Sequence, residues 1–413
     1  MVTDAYPPQI GGANRSTQML AQEMTARGHE VVVASSWQQG LPTVGDDGPV
    51  WVHRLRDSTS RLPWISADPY LHIPPPFPDP EAVWRFRRLI GRFRPDVVHA
   101  YGWLTYPCAA ALLGTGVPMV VSARDYGNVC AVRTLIRNGE EICDGPGVRK
   151  CLVCASRFYG PAKGTVAVAG VLGGRPLLRR RTRVVHSISG YVYRVMHRHL
   201  VGNRPIEERV IPNFRPEAEA PPADAAILDQ LPPEPYILYV GALRRVKGVD
   251  LLLAAYRRLT DPPPLVLIGT LAPDSPSAFP AGVTVLRDVP HPTVMAAWDR
   301  ALFGVAPSLW PEPLGNVVHE GMSRGKAVIG TSPGGHEDMI ADGETGLLVP
   351  AGEEDALLRA MRRLIAEPET AVAMGRAARE RSRLFTAEVV MHQYEEMYQS
   401  LAGKPLGRPA GGG

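Results

Sequence analysis

Short, uninterrupted apolar runs rich in β-branched residues alternate with helix-spaced stretches along this chain, and that alternation constrains its fold more than any other feature. Val31-Val32-Val33-Ala34, Val97-Val98-His99-Ala100 and Pro118-Met119-Val120-Val121 alternate with helical patterns over Thr17 to Arg27 and Val83 to Phe93. Strands without polar alternation are buried on both faces, so a parallel sheet covered by helices is expected. The alternation stops after Ile211-Pro212-Asn213, and Arg215 to Pro235, rich in Pro, Ala and acids, reads as a linker. It then resumes with Tyr236 to Val240, a helix from Asp250 to Leu259, Leu265 to Ile268, Val283 to Leu286, a helix from Thr293 to Asp299, Phe303 to Ala306 and Ala327 to Gly330. Two doubly wound α/β domains in series follow, with ligands expected beyond the carboxyl ends of the strands, in a cleft between the two.

Composition agrees with a folded chain of this kind. At 413 residues, 45 % apolar and 21 % charged, it exceeds one small module and carries no apolar run that would span a bilayer. Met1 to Pro8 lack a basic region followed by an apolar stretch, so a cytoplasmic location is the expectation. Met1-Val2-Thr3 is short for a central strand, which points to a start upstream. The net charge of +4 conceals a division: residues 1–200 hold 24 Lys and Arg against 14 Asp and Glu, and residues 201–413 hold 21 against 27. The basic half is read either as facing an anionic partner or as a solvated surface.

The densest chemistry lies between Pro307 and Val349. The chain there reads Pro307-Ser308-Leu309-Trp310-Pro311-Glu312-Pro313-Leu314-Gly315-Asn316-Val317-Val318-His319-Glu320, then Gly325-Lys326-Ala327-Val328-Ile329, Gly334-Gly335-His336-Glu337 and Gly346-Leu347-Leu348-Val349. A strand ends near Ala306, a loop carries Glu312, and a helix opens around Gly315 with Glu320 inside it. Free amides at such a helix start suit a diphosphate, and two flanking carboxylates suit sugar hydroxyls. Taken alone, the spacing of the two acids also fits an exposed acid and a capping acid.

The whole string resembles the family 4 retaining glycosyltransferases of the GT-B fold, with Ala327 where that family usually has Pro. Tyr6-Pro7-Pro8-Gln9-Ile10-Gly11-Gly12, Arg94-Pro95-Asp96-Val97-Val98-His99, Tyr239-Val240-Gly241-Ala242-Leu243 to Lys247-Gly248, and Asp288-Val289-Pro290-His291 extend the resemblance over most of the chain. It implies two Rossmann-like domains: residues 1–208 on the acceptor side, with a cysteine-bearing insert near 126–160, and residues 209–385 holding a nucleotide sugar. A helix over 386–402 would return to the first domain, and 403–413 would be a disordered tail. The implied activity is transfer of a sugar from a nucleotide diphosphate sugar, UDP- or GDP-linked, to an unknown acceptor with retention and without a catalytic metal.

Carried over by residue, the resemblance assigns Glu320 to the ribose hydroxyls and Glu312 to donor-sugar hydroxyls. It assigns the amides of Gly315, Asn316 and Val317, with Leu314, to the diphosphate, Val289 to the base-binding turn, and Gly12 to loop closure. Lys247 would neutralise the departing nucleotide. Ala242 stands where the family usually has arginine, so Arg244, or else Arg245, is expected to supply the second cation. Arg124 replaces a customary histidine before Asp125, which stays a catalytic candidate; arginine itself cannot serve as a base at neutral pH. Rival readings are a nucleotide-sugar epimerase or hydrolase on this fold and a non-catalytic nucleotide-sugar-binding protein. A dinucleotide oxidoreductase lacks its glycine spacing at Gly11-Gly12.

Other features are read from the residues themselves. Cys130, Cys143, Cys151 and Cys154 offer the four thiolates of a structural zinc site, with disulfides or free thiols as alternatives, while Cys108 is expected to be buried. The Val83 to Arg94 stretch and Arg179-Arg180-Arg181-Thr182-Arg183 fit peripheral contact with the inner face of a membrane. The alternative is a helix whose Val83, Phe86, Ile90 and Phe93 face the core. No recognition motif for nucleic acid accompanies the charge. Among the histidines, His99 is expected at a strand end facing the cleft, His291 in the base-binding turn and His319 in the phosphate helix.

Overall fold

The apolar runs form two separate sheets in the computed structural model, which describes residues 1–8, 12–61, 73–215 and 222–403. The chain divides into unit 1, Met1–Pro216 with the segment from Ala387, and unit 2, Glu217–Thr386.

Unit 1 contains β1 (Val2–Thr3), α1 (Gly12–Ala26), β2 (Val32–Ser36), β3 (Val44–Asp47), β4 (Val50–Leu55), α2 (Pro80–Phe93), β5 (Val98–Tyr101), α3 (Thr105–Ala111) and β6 (Met119–Ala123). A small hairpin, β7 (Ile136–Arg137) and β8 (Glu141–Ile142), precedes α4 (Val148–Tyr159), α5 (Pro161–Arg181), β9 (Thr182–Ser187), α6 (Gly190–Met196) and β10 (Glu207–Val210). The large sheet runs β10-β9-β6-β5-β1-β2-β4-β3, parallel except for β3, which pairs antiparallel with β4. Strand β10 straddles residue 208, so the first sheet continues past that position. The direction of winding reverses between β1 and β5, leaving a crevice at their carboxyl ends.

Local chemistry sets the helix limits. The Asp79 carboxylate accepts from the Ala82 amide at 2.9 Å and Pro80 takes the first helical position, so α2 begins there. It ends at Arg94, in the left-handed region and followed by Pro95. Phe86 is buried, Val83, Ile90 and Phe93 are half-buried, and Trp84 is exposed beneath Arg88. The core-facing alternative therefore describes α2. In the basic run, Arg179 Nε donates to Leu200 O and Arg181 Nη2 to Val117 O, leaving Arg180 and Arg183 exposed.

Unit 2 contains α7 (Ala225–Leu228), β11 (Tyr236–Val240), α8 (Val249–Arg257), β12 (Leu265–Ile268), β13 (Val283–Leu286), α9 (His291–Arg300), β14 (Ala301–Ala306), α10 (Asn316–Ser323), β15 (Val328–Ser332), α11 (His336–Met339), β16 (Gly346–Pro350), α12 (Glu354–Ala366) and α13 (Pro368–Ser382). Helix α7 lies within the stretch read as a linker, because Asp224 caps it and the Asp224 amide donates to Thr293 Oγ1 at 2.8 Å. All strands are parallel in the order β13-β12-β11-β14-β15-β16. Ile237, Leu265, Leu267, Phe303 and Ile329 from this sheet pack with Leu252, Leu253, Leu357, Met361 and Leu364 into one core.

The final helix, α14 (Ala387–Ala402), belongs to unit 1. Val390, Met391, Tyr394, Met397 and Tyr398 pack on Leu20, Met24, Val120 and Val184. Residues 404–413 of the expected tail lie outside the described residues. Among the described residues no helix is long and apolar enough to cross a membrane.

Candidate active site

The winding of the second sheet reverses between β11 and β14, and the loops leaving those two strands flank the crevice. The loop after β11 carries Arg244 and a short 3-10 turn, Arg245–Lys247, then Gly248 in the left-handed region at φ 76°. A Cβ on residue 248 would lie 1.8 Å from Pro307 O, so only glycine allows the two loops to approach this closely. The Leu309 amide donates to Val246 O at 3.0 Å and locks them together.

That register brings Lys247 onto Glu312. The carboxylate, 8 % exposed, receives the Lys247 ammonium, the Ser308 hydroxyl at 2.9 Å and the Trp310 indole N–H at 2.7 Å, all on Oε1. The ammonium also lies 4.8 Å from the centre of the Trp310 ring. Among the described residues no donor hydrogen-bonds to Oε2. Burial alone would raise the Glu312 carboxyl, but Lys247, His336 and the indole outweigh it and hold the group below the usual carboxylate value. The Gly335 amide donates to the Glu312 carbonyl at 2.6 Å, which ties the loop to the turn after β15.

Three residues after Glu312 the chain enters α10 through Gly315, in the left-handed region at φ 89°. A Cβ at this position would meet the His336 ring at 2.5 Å. His336 is fully buried; its Nδ1 accepts from the Thr331 amide at 3.0 Å, which places the proton on Nε2 in the neutral ring. Burial pushes His336 down from its ordinary value. The amides at the start of α10 belong to Asn316 and Val317, both half-buried, with Leu314 buried beneath them. Glu320, one turn on, takes a 3.1 Å contact from His291 Nε2 at the start of α9, and Val289 is half-buried just before that helix.

The structure thus brings Lys247 and Glu312 together and places the α10 amides and Glu320 on one helix. It does not bring Arg244 to them, for Arg244 Nε pairs with Asp274 at 3.0 Å on the exposed side, and Arg245 is exposed. Ser308, Trp310 and His336 were not singled out from sequence. Ser308 and Trp310 stand four and two residues from Glu312, and an indole and a hydroxyl so near a buried acid are the available signal.

At the crevice of the first sheet, Asp125 is tied down by three neighbours. Its Oδ1 accepts from the Gly127 amide at 2.7 Å, and its Oδ2 from Arg133 Nε at 2.9 Å, Arg133 Nη2 at 2.7 Å and the Tyr101 hydroxyl at 3.0 Å. Arg133 Nη1 also reaches Asp4 at 2.8 Å. Gly12 opens α1, while residues 9–11 before it lie outside the described residues. His99 does not face this crevice. It is buried inside β5 with Nδ1 2.6 Å from the Tyr398 hydroxyl. His319 is buried against Phe385.

The zinc reading of the insert finds no support in the arrangement of the thiols. Among the described residues no group of three or more His, Cys, Asp or Glu could hold a metal ion, and all five cysteines are free. Cys143 donates to Gly145 O, Cys151 accepts from the Gly147 amide, and Cys154 accepts from the Asn138 amide. Burial pushes the Cys130 thiol up to about 11. Cys108 is buried and pushed up to about 12 by the same cause.

Comparison with known proteins adds family information. Residues 224–381 match the model of the glycosyl transferases group 1, and residues 11–214 match that of a glycosyl transferase 4-like domain. Alpha-maltose-1-phosphate synthase of Mycolicibacterium smegmatis is 30 % identical over 44 % of this chain and 53 % of its own length. Glycogen synthase of Mycobacterium tuberculosis is 25 % identical over 92 % of this chain and 89 % of its own length. The chain spans about half the length of the first curated relatives it matches. Sucrose-phosphate synthase of Thermosynechococcus elongatus has a similar structure, with a TM-score of 0.75, 22 % identity and coverage of 97 % and 98 % of the two chains. HepE of Anabaena, solved with UDP-glucose, gives 0.66 at 15 % identity, covering 97 % and 99 %. Two parallel Rossmann-like sheets are the fold these structures share, that of the GT-B glycosyltransferases.

Proposed function

Because the chain belongs to the glycosyl transferases group 1 family, we propose that it transfers a sugar from a nucleotide diphosphate sugar to an acceptor hydroxyl, with retention at the anomeric carbon. One observation carries this reading: a buried carboxylate and an ammonium meet beside the start of a helix, at the switch point of the second sheet.

In the proposed complex the diphosphate takes the amides of Gly315, Asn316 and Val317, where partial positive charge accumulates. Lys247 swings between Glu312 and the diphosphate and neutralises charge as the nucleotide leaves. Oε1 of Glu312 is held by Ser308 and Trp310, so Oε2 is left to accept from a sugar hydroxyl. Glu320, oriented by His291, accepts from the ribose hydroxyls. The departing phosphate takes the acceptor proton, so no side-chain base and no metal is needed. Arg245 is better placed than Arg244 to serve as a second cation, since Arg244 is engaged by Asp274. In unit 1, Asp125 orders the acceptor-side crevice. The free thiols suit a reducing compartment, and we place the enzyme in the cytoplasm.

The test is calorimetry with UDP-, GDP- and ADP-sugars, with Glu320→Ala as the control. UDP-glucose is the first candidate because a protein of similar fold was solved with it. Removing a charged hydrogen-bonding partner is worth about 1.5–3 kcal/mol, so affinity for the donor should fall at least about tenfold. If no nucleotide sugar binds the wild type more tightly than Glu320→Ala, the proposal fails.

A further inference from the structure

One cation in unit 1 has no counter-charge. Arg124 follows the last residue of β6 at the carboxyl end of the first sheet, and it is only 7 % exposed. Among the described residues no carboxylate pairs with it. Asp125, the next residue, is held by Arg133, Tyr101 and the Gly127 amide instead. Arg124 Nη1 is buried with no partner at all. Arginine keeps its proton even in such a place, so the charge stays.

The groups that bond the guanidinium are neutral. Nε donates to Ser122 Oγ at 3.4 Å, and the Tyr394 hydroxyl accepts from Arg124 as well. Behind them stands His186, with Nδ1 2.9 Å from Ser122 Oγ and Nε2 2.8 Å from Ile211 O. A carbonyl only accepts, so the ring proton is on Nε2, Nδ1 accepts from the Ser122 hydroxyl, and the Ser122 oxygen turns a lone pair to Arg124. Burial, with Arg124 adding to it, pushes His186 down to about 3 and His99 well below its ordinary value. Burial also pushes the Tyr394 and Tyr398 hydroxyls up, so neither becomes an anion. This cluster between the sheet and α14 holds one positive charge and, among the described residues, no negative one. Such a charge destabilises the fold until an anion joins it.

We propose that Arg124 receives an anionic group, a carboxylate or a phosphate, carried by the acceptor. Nη1 donates to one oxygen of the group, and the two charges offset each other. A guanidinium suits either anion because its N–H groups match paired oxygens. Position favours the acceptor as the source: Arg124 belongs to unit 1 and stands at the strand ends, where ligands of a doubly wound sheet bind. That the group belongs to an acceptor rests on the sugar transfer proposed above. The anion site itself involves neither Glu320 nor a nucleotide, so the two readings fail separately.

The test is thermal melting of the full chain and of Arg124→Gln, which keeps an N–H donor and loses the charge. In buffer free of phosphate and carboxylate, Arg124→Gln should melt about 2–4 °C above the wild type, since an unpaired buried charge is gone. Replacing an arginine that only fills space lowers Tm instead. Sodium phosphate and sodium acetate stand in for the two groups, with sodium chloride at equal ionic strength as the control. At about ten times its Kd, one of them should raise Tm of the wild type by about 2–4 °C and leave Arg124→Gln unmoved, and whichever acts identifies the group. Arg124→Lys, with the charge but not the fork, should keep part of the shift. Calorimetry with UDP assigns the source: an affinity that falls about tenfold in Arg124→Gln would put the anion on the donor and overturn the acceptor assignment. The proposal is also overturned if Arg124→Gln melts at or below the wild type, or if phosphate and acetate move both proteins equally. A shift that chloride gives as strongly would mean an adventitious ion only and overturn it too.

Discussion

Replacing Lys247 with Met strips the cation from a carboxylate that has little access to water. Ser308 and Trp310 would still donate to Glu312, but neither carries charge, so burial would prevail and the carboxyl would titrate above the ordinary value of about 4.3. Breaking a buried ion pair from one side costs about 3–5 kcal/mol. The Lys247 side chain is 30 % exposed, and screening reduces the expected loss to about 2–3 kcal/mol at neutral pH. In the wild type the folded carboxyl lies below its unfolded value, so the pair's contribution is present above about pH 4.3 and lost as pH falls through the folded value. In Lys247→Met the order is reversed, and stability declines as pH rises from about 4.3 to the raised value. The gap between the two proteins must therefore widen with rising pH, by at most about 1.4 kcal/mol per unit for each protein's titrating group. Urea unfolding followed by tryptophan fluorescence across this range measures it, since urea adds no ions to screen the pair. Adding Glu312→Gln to Lys247→Met should recover part of the loss and flatten the pH dependence. A gap that is constant across the range, or a double variant no more stable than Lys247→Met at neutral pH, refutes the reasoning.

Two further outcomes follow from the geometry. Gly248→Ala places a methyl group against Pro307 O in a left-handed backbone, which should cost more than about 2 kcal/mol and lower Tm by about 5 °C or more. A Tm unchanged from wild type would mean that the two loops are not held at this spacing. In unit 1, Arg133→Met leaves Asp4 and Asp125 without their shared cation and should cost about 3–5 kcal/mol, seen as faster amide exchange over residues 126–160. Arg133→Lys should recover less than half, because one ammonium cannot reproduce the fork that reaches both carboxylates; exchange as slow as wild type in Arg133→Met would contradict this account.

The parts of the fold legible in sequence are those with strong local patterns. Tyr236 to Val240 and Leu265 to Ile268 are uninterrupted apolar runs, and they are strands over those residues. The antiparallel β3 was not legible: Val44-Gly45-Asp46-Asp47 is an exposed edge without apolar alternation. Helix α7 was hidden because four residues in a Pro-rich stretch carry no period. In the candidate site, the placement of Glu312, Gly315 and Glu320 could be read because a strand, a loop and a helix start follow one another within a few residues. The role of Arg133 could not, because it meets Asp4 across 129 positions from a stretch of insert where Arg133 and Leu135 both have positive φ. For the cysteines, spacing suits zinc but does not say where four thiols point.

Helix α14 sets an order on the birth of the molecule. The first sheet is complete once β10 has been made, yet Val120 and Val184 are covered in part by Val390, Met391 and Met397 at the far end of the chain. All of unit 2 is synthesised in between. As the chain emerges from the ribosome, unit 2 can close its own core first, while unit 1 waits with an apolar face open until the last helix arrives. The second unit is thus a contiguous piece that can be cut out as a gene fragment, whereas a fragment ending at Arg215 would present that face to every neighbour and to the chaperones that bind such surfaces.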